Sequence, residues 1–182
     1  LAAPETIELK SIEGENEYVH PDKAHIVYEF PARGEKPPLT LDWYSGSTPD
    51  EVAELTGGQP AGDDQGGALF IGSCGMISHG VYPGRIRLHP AELKKDAAEI
   101  PAVHPRFKGS HEAIWLDACQ GKGPASSDFA YAAKLTELTH LGNLAIKLGG
   151  KIQWDAKNAQ VTNRSGAADL ISRPRRQGWS LD

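Results

Sequence analysis

Residues 128–150 read DFAYAAKLTELTHLGNLAIKLGG and predict a long amphipathic helix over Asp128 to Leu148. Its apolar residues recur at helical spacing, so one side of the helix must pack against another layer. This apolar stripe consists of Tyr131, Leu135, Leu138, Leu141, Leu144, Ala145 and Leu148. We expect Ser126 or Ser127 to cap the helix, Asp128 to complement its dipole, and Gly149-Gly150 to end it.

The first ninety residues have the pattern of short strands that supply such a layer. Apolar residues alternate in Thr6 to Ser11, His25 to Phe30 and Leu39 to Tyr44, as expected of strands with one buried face. Further strand candidates, separated by turn sequences, are Ala68 to Gly72, Met76 to His79 and Arg85 to His89. Gly57 to Gly67, rich in glycine and aspartate, is expected to form an exposed loop.

The pattern changes after residue 110. A helix is predicted over Ser110 to Cys119 with Ser110 as its N-cap, and the long helix follows. Two short strands and a helical turn are predicted at the end: Lys151 to Trp154, Ala159 to Thr162 and Ala167 to Ile171. Strands first and helices later predict an α+β fold, in which helices cover one face of a largely antiparallel sheet. The length allows one domain or two small ones. We expect a single domain over residues 1–182, because neither an internal repeat nor a second core with its own linker is evident.

Composition excludes several classes of protein. The 182 residues contain 19 Lys and Arg against 24 Asp and Glu, a net charge of −5, so no basic surface for nucleic acid is predicted. The apolar runs are far shorter than the roughly 20 residues of a membrane helix, so no membrane partner is expected. Cys74 and Cys119, 45 positions apart, form neither a disulfide framework nor a recognisable zinc motif.

The common catalytic and cofactor motifs are missing from the sequence. It has no Gly-x-Gly-x-x-Gly between a strand and a helix, no Walker loop, no His-Glu-x-x-His and no Gly-x-Ser-x-Gly. The spacing of the seven histidines requires no metal, and satisfied or solvent-facing histidine is the favoured interpretation. They are His20, His25, His79, His89, His104, His111 and His140. We therefore predict no catalytic residue, cofactor site or metal site within the chain.

Three residues are candidates for binding a substrate. Trp43 and Tyr44 end a strand and form an aromatic pair that either stacks on a sugar or packs under a helix. Packing is the more common role of such a pair. His111 opens a helix after a proline-rich loop, where it either contacts a substrate at a rim or serves as a surface residue near the cap.

Nine segments in the same order resemble one protein family. They are Val27–Arg33, Pro38–Tyr44, Gly67–Gly72, His111–Cys119, Ser127–Phe129, Leu135–Glu137, Leu141–Ala145, Trp154–Asp155 and Arg176–Trp179. Together they resemble the C-terminal domain of the bacterial branch of the glucose-fructose oxidoreductase and inositol dehydrogenase family (Gfo/Idh/MocA). The resemblance covers nearly the whole chain. One departure is Arg175, where the family pattern has a tyrosine.

The resemblance implies the substrate side of an enzyme. Family members pair an N-terminal Rossmann domain, which holds NAD or NADP, with a C-terminal domain built on an open mixed sheet. That sheet contributes to the sugar pocket and often to an oligomer interface. The expected partners are therefore a sugar or polyol, the chain's own Rossmann domain and further copies of the chain. The family's catalytic lysine, aspartate and histidine would lie upstream of Leu1. We therefore expect that the chain alone does not catalyse the reaction.

Two other functions stay open at this level. The first alternative to the oxidoreductase domain is a stand-alone carbohydrate-binding or scaffold module. The second and weaker alternative is a histidine-based metal hydrolase. Because Leu1 comes first and Met76 is the only methionine, we expect a processed protein or an excised piece. The location follows from the parent protein, which is expected in the bacterial cytoplasm or, after twin-arginine export, in the periplasm.

Overall fold

The computed structural model describes residues 2–82, 86–104, 106–172 and 175–179. The strands are β1 (Thr6–Glu13), β2 (Lys23–Phe30), β3 (Leu39–Ser45), β4 (Gly62–Asp63), β5 (Gly66–Ile71), β6 (Met76–Gly80), β7 (Arg87–His89), β8 (Lys151–Asp155) and β9 (Gln160–Val161). The helices are α1 (Asp50–Leu55), α2 (Lys94–Ala98), α3 (His111–Cys119), α4 (Phe129–Leu148) and α5 (Ala167–Ile171), and Ala91–Leu93 forms a 3-10 turn.

The chain divides into two compact units. The first comprises Leu1–Ser47 and Gly109–Asp182, and the second comprises Thr48–Lys108. The first unit contains a five-stranded sheet in the order β3-β2-β1-β8-β9, and the second contains a four-stranded sheet in the order β4-β5-β6-β7. The expectation of a single domain over residues 1–182 stays a prediction.

The core of the first unit lies between α4 and its sheet. Helix α4 packs on β1 and β8. Alternate strand residues Ile7, Ile26 and Tyr28 point toward the helix, and Leu141 and Leu144 of the predicted stripe meet them. Leu138 and Leu148 are partly buried at the edge of this core, whereas Tyr131 and Leu135 at the start of the stripe are exposed. The predicted fold class, α+β with a largely antiparallel sheet and helices on one face, is confirmed.

The helix ends follow the local chemistry of the sequence. Ser110 caps α3, since its hydroxyl accepts a hydrogen bond of 3.2 Å from the backbone N–H of Ala113. The prediction that Ser126 or Ser127 caps α4 is wrong. Asp128 takes this role, because its carboxylate accepts a 3.0 Å hydrogen bond from the N–H of Tyr131. Gly149 ends α4 with a φ of +69°, a conformation that favours glycine.

The second unit is less regular than the first. The segment predicted as a loop contains the short strand β4, whose Gly62 pairs with Gly67 of β5. The predicted strand Arg85 to His89 is present over Arg87–His89, and Arg85 lies outside the described residues. The short helices α1 and α2 were not predicted, because neither carries a recognisable apolar stripe.

Candidate functional site

The two aromatic candidates lie on β3, at the edge of the five-stranded sheet. Trp43 pairs with Ile26, so it lies on the face that carries the core. Tyr44 pairs with His25 and lies on the opposite face, because consecutive strand residues alternate. Trp43 is 49% exposed and Tyr44 is 40% exposed, so neither ring is buried. The structure therefore separates the two residues that the sequence offered as one aromatic pair.

Tyr44 belongs to a three-residue group that the sequence analysis did not find. Its ring stacks on the imidazole of His25, with centroids 4.2 Å apart and planes 17° apart. The Nε2 atom of His25 lies 2.8 Å from a carboxylate oxygen of Asp42, two residues before Tyr44 on the same face. Asp42 holds the imidazole in one orientation, and Tyr44 covers one side of it. This arrangement presents a carboxylate, an imidazole and an aromatic ring together.

The same face continues across the sheet as a set of polar side chains, which we call the polar face. Its members are Thr6, Glu8, His25, Glu29, Asp42, Tyr44 and Lys151. The Glu29 carboxylate accepts a 2.6 Å hydrogen bond from Nζ of Lys151 and another from the hydroxyl of Thr6. The hydrogen bond from Lys151, followed by the one from Thr6, lowers the pKa of Glu29. The same contact with Glu29 raises the pKa of Lys151.

Cross-strand register explains why these charges meet. Thr6 pairs with Glu29 on β2 and with Gln153 on β8, while Glu8 pairs with Lys151. Side chains opposite one another on neighbouring strands lie within contact distance. The polar face thus brings together side chains from four strands. It contains both hydrogen-bond donors and hydrogen-bond acceptors.

The third candidate, His111, lies on a different element, helix α3. It is the first residue of α3 and its side chain is exposed. The neighbouring Glu112 has a lowered pKa, chiefly because its carboxylate accepts a hydrogen bond from Ser110. Whether His111 contacts a substrate stays a prediction.

The second unit contains a serine–histidine pair that resembles a nucleophile and its base. The hydroxyl of Ser78 on β6 lies 2.9 Å from Nε2 of His89 on β7. Ser78 is 0% exposed, so no substrate reaches its oxygen. Within the described part of the chain, His89 also lacks the carboxylate that orients the base in a catalytic triad. The pair is a buried polar contact in which each group satisfies the other.

The described residues contain no glycine-rich turn of the kind that holds a dinucleotide in a Rossmann domain. In a Rossmann domain the cofactor's pyrophosphate binds to backbone N–H groups at a glycine-rich turn between a strand and a helix. Gly57-Gly58 follows α1 and Gly66-Gly67 begins β5, and the strand pairs of the described residues are antiparallel. The same residues contain no group of three or more His, Cys, Asp or Glu placed to hold a metal ion. They also contain no helix that is both long and apolar enough to span a bilayer.

No protein-family model matches the chain, and comparison with curated proteins and with solved structures finds no significant match. The resemblance to the oxidoreductase family therefore depends on the nine quoted segments alone.

Proposed function

We propose that the chain is the substrate-side and assembly domain of an NAD(P)-dependent sugar or polyol oxidoreductase. The observation that carries the proposal is the group of His25, Asp42 and Tyr44 on the polar face of an open sheet. The other face of that sheet carries the core beneath α4, so the polar face is the side on which a substrate or another domain can bind.

The chemistry of this group suits a sugar or polyol. Such ligands present many hydroxyl groups, which hydrogen-bond to carboxylates and imidazoles, and C–H surfaces, which pack on aromatic rings. Asp42 accepts hydrogen bonds, and the partly exposed ring of Tyr44 offers an aromatic surface beside it. Of the three sequence candidates, Tyr44 lies on this face, whereas Trp43 lies on the core face and His111 is the first residue of α3.

The redox chemistry belongs to another domain in this proposal. Hydride transfer requires a nicotinamide about 3–3.5 Å from the reacting carbon and a base for the hydroxyl proton. Because the described residues contain no Rossmann-type turn, this proposal assigns NAD or NADP and the base to the Rossmann domain of the parent protein. Assembly with that domain and with further copies of the chain is the second part of the proposed role.

The test is a binding study of the 182-residue chain. Glucose, fructose and myo-inositol are titrated and followed by NMR, and NAD and NADP are titrated by calorimetry. We expect sugar binding with a dissociation constant of about 1 mM and no stoichiometric dinucleotide binding. Alanine at His25, Asp42 or Tyr44 should weaken sugar binding by about threefold or more, whereas alanine at Trp43, on the opposite face of the sheet, should not. Alanine at Tyr18, which is 86% exposed in the β1–β2 connection, is the matched control and should change nothing.

Two results would contradict the proposal. One is stoichiometric binding of NAD or NADP to this chain, and the other is the absence of saturable sugar binding. The coding sequence upstream of Leu1 separates the oxidoreductase from a stand-alone carbohydrate-binding module. A glycine-rich strand-turn-helix there supports the oxidoreductase, whereas an unrelated secretory leader supports the module.

A further inference from the structure

The second unit contains a pocket that the proposed function does not use. It has a volume of about 610 Å³, within the range of small-molecule sites. The end of α1, the strands β6 and β7, and the 3-10 turn with the start of α2 form its walls. Leu55, Met76 and Leu88 supply apolar surface, and Arg87, His89 and Lys94 supply the basic side chains.

The charges that line this pocket all have one sign. Arg87 and Lys94 are cationic, and among the described residues no aspartate or glutamate lines the pocket. Glu92 and Asp96, close to Lys94 in sequence, are not part of its wall. The ion pairs of the described residues likewise include neither Arg87 nor Lys94. The pocket therefore keeps a positive charge that its own wall does not neutralise.

Arg87 is held in place by neutral groups. Its Nη1 atom donates to the carbonyl oxygens of Pro60 and Gly62, both at 3.3 Å, and its side chain is partly buried. These contacts orient the guanidinium, and among the described residues no ion pair includes it. A guanidinium binds carboxylates and phosphates through paired N–H donors, and the interaction strengthens when water is partly excluded.

Two other polar side chains of the wall already have partners. His89 binds Ser78, and the hydroxyl of Thr56 contacts backbone carbonyls, including those of Val52 and Gln59. His89 and Thr56 shape the pocket, whereas Arg87 and Lys94 carry its positive charge. We propose that this pocket binds a small organic oxyanion, a carboxylate or phosphate ester whose charged end meets Arg87 and Lys94 and whose body contacts Leu55, Met76 and Leu88. The inference is independent of the proposed sugar site, which uses residues of the first unit.

Titration of the full chain with glucose 6-phosphate, gluconate and inorganic phosphate, followed by NMR, tests the inference. Glucose is the uncharged control ligand. We expect saturable binding of at least one anion below about 10 mM, with shifts at Arg87 and Lys94 that glucose does not produce. Binding of the phosphate ester or of the carboxylate alone identifies which oxyanion the pocket takes.

Charge-removing variants decide whether the pocket is the site. Arg87→Gln should weaken anion binding about tenfold, and Lys94→Gln should weaken it about threefold. Lys95→Gln, the neighbouring cation outside the pocket wall, should leave it unchanged. Arg87→Lys keeps the charge and should retain part of the affinity if Arg87→Gln fails to fold. Absence of saturable binding, or equal loss in Lys94→Gln and Lys95→Gln, would overturn the inference.

Discussion

Replacement of Gly142 by alanine tests how α4 packs on the sheet. A Cβ atom at this position would lie 2.2 Å from the hydroxyl oxygen of Tyr28 and 3.4 Å from Cδ1 of Ile26. Tyr28 is only 3% exposed within the core, so its ring cannot move aside without disturbing its neighbours. The glycine is therefore required by the close approach of helix and sheet.

The size of the effect follows from two opposing terms. Overpacking a core by one methyl group at such a distance costs about 3 kcal/mol, and alanine in a helix interior gains about 1 kcal/mol over glycine. Gly142→Ala should thus lower the free energy of unfolding by about 2 kcal/mol. Tyr28→Phe removes the clashing oxygen, after which the nearest ring carbon lies 3.5 Å from the new Cβ. The double variant should therefore recover the loss, with a coupling energy of about 3 kcal/mol.

Urea unfolding followed by tryptophan fluorescence measures these values. The four tryptophans, at positions 43, 115, 154 and 179, all belong to the first unit, so the signal reports the unit that contains the substitution. Gly123→Ala is the control, because a Cβ there meets no atom within 4 Å. The packing argument fails if Gly142→Ala is as stable as the parent chain, or if Tyr28→Phe does not rescue it.

Three further predictions concern single groups of the first unit. Asp128→Ala removes the cap of α4 and should cost about 1 kcal/mol in urea unfolding, whereas Ser127→Ala should cost nothing measurable. Burial raises the pKa of Tyr28 from 10.0 to about 12, so stability should fall as pH rises from 10 toward 12, and Tyr28→Phe should flatten that part of the profile. Lys151→Gln should raise the pKa of Glu29 toward its ordinary value in an NMR titration, because the hydrogen bond that lowers it is lost; an unchanged value would contradict the assignment.

Local signals predicted most of the secondary structure. The stripe in α4, the alternation in β1, β2 and β3, and the Ser110 cap are properties of short segments, and each is present near its predicted position. The short helices α1 and α2 were not predicted, because five or six residues contain too few apolar positions to show a helical periodicity. The Asp128 cap was assigned to Ser126 or Ser127 because neighbouring polar residues compete for one N-cap position.

The candidate site was harder to predict because its residues come together through strand register. Trp43 and Tyr44 are adjacent in sequence, yet the pleat of β3 sends them to opposite faces. His25 and Asp42 are 17 positions apart, and only the pairing of β2 with β3 brings the imidazole to the carboxylate. A one-residue shift of β3 against β2 would move Asp42 and Tyr44 to the face opposite His25.

The amino-acid sequence alone determines the α+β class, the long helix with its apolar side, and the absence of dinucleotide and metal motifs. Each of these is a local pattern. The tertiary structure decided what distant segments build together. It placed His25, Asp42 and Tyr44 on one polar face and gathered Arg87 and Lys94 around a pocket whose described lining residues include no carboxylate. Such groupings depend on strand order and register. These arise from packing between distant segments, so no short stretch of residues predicts them.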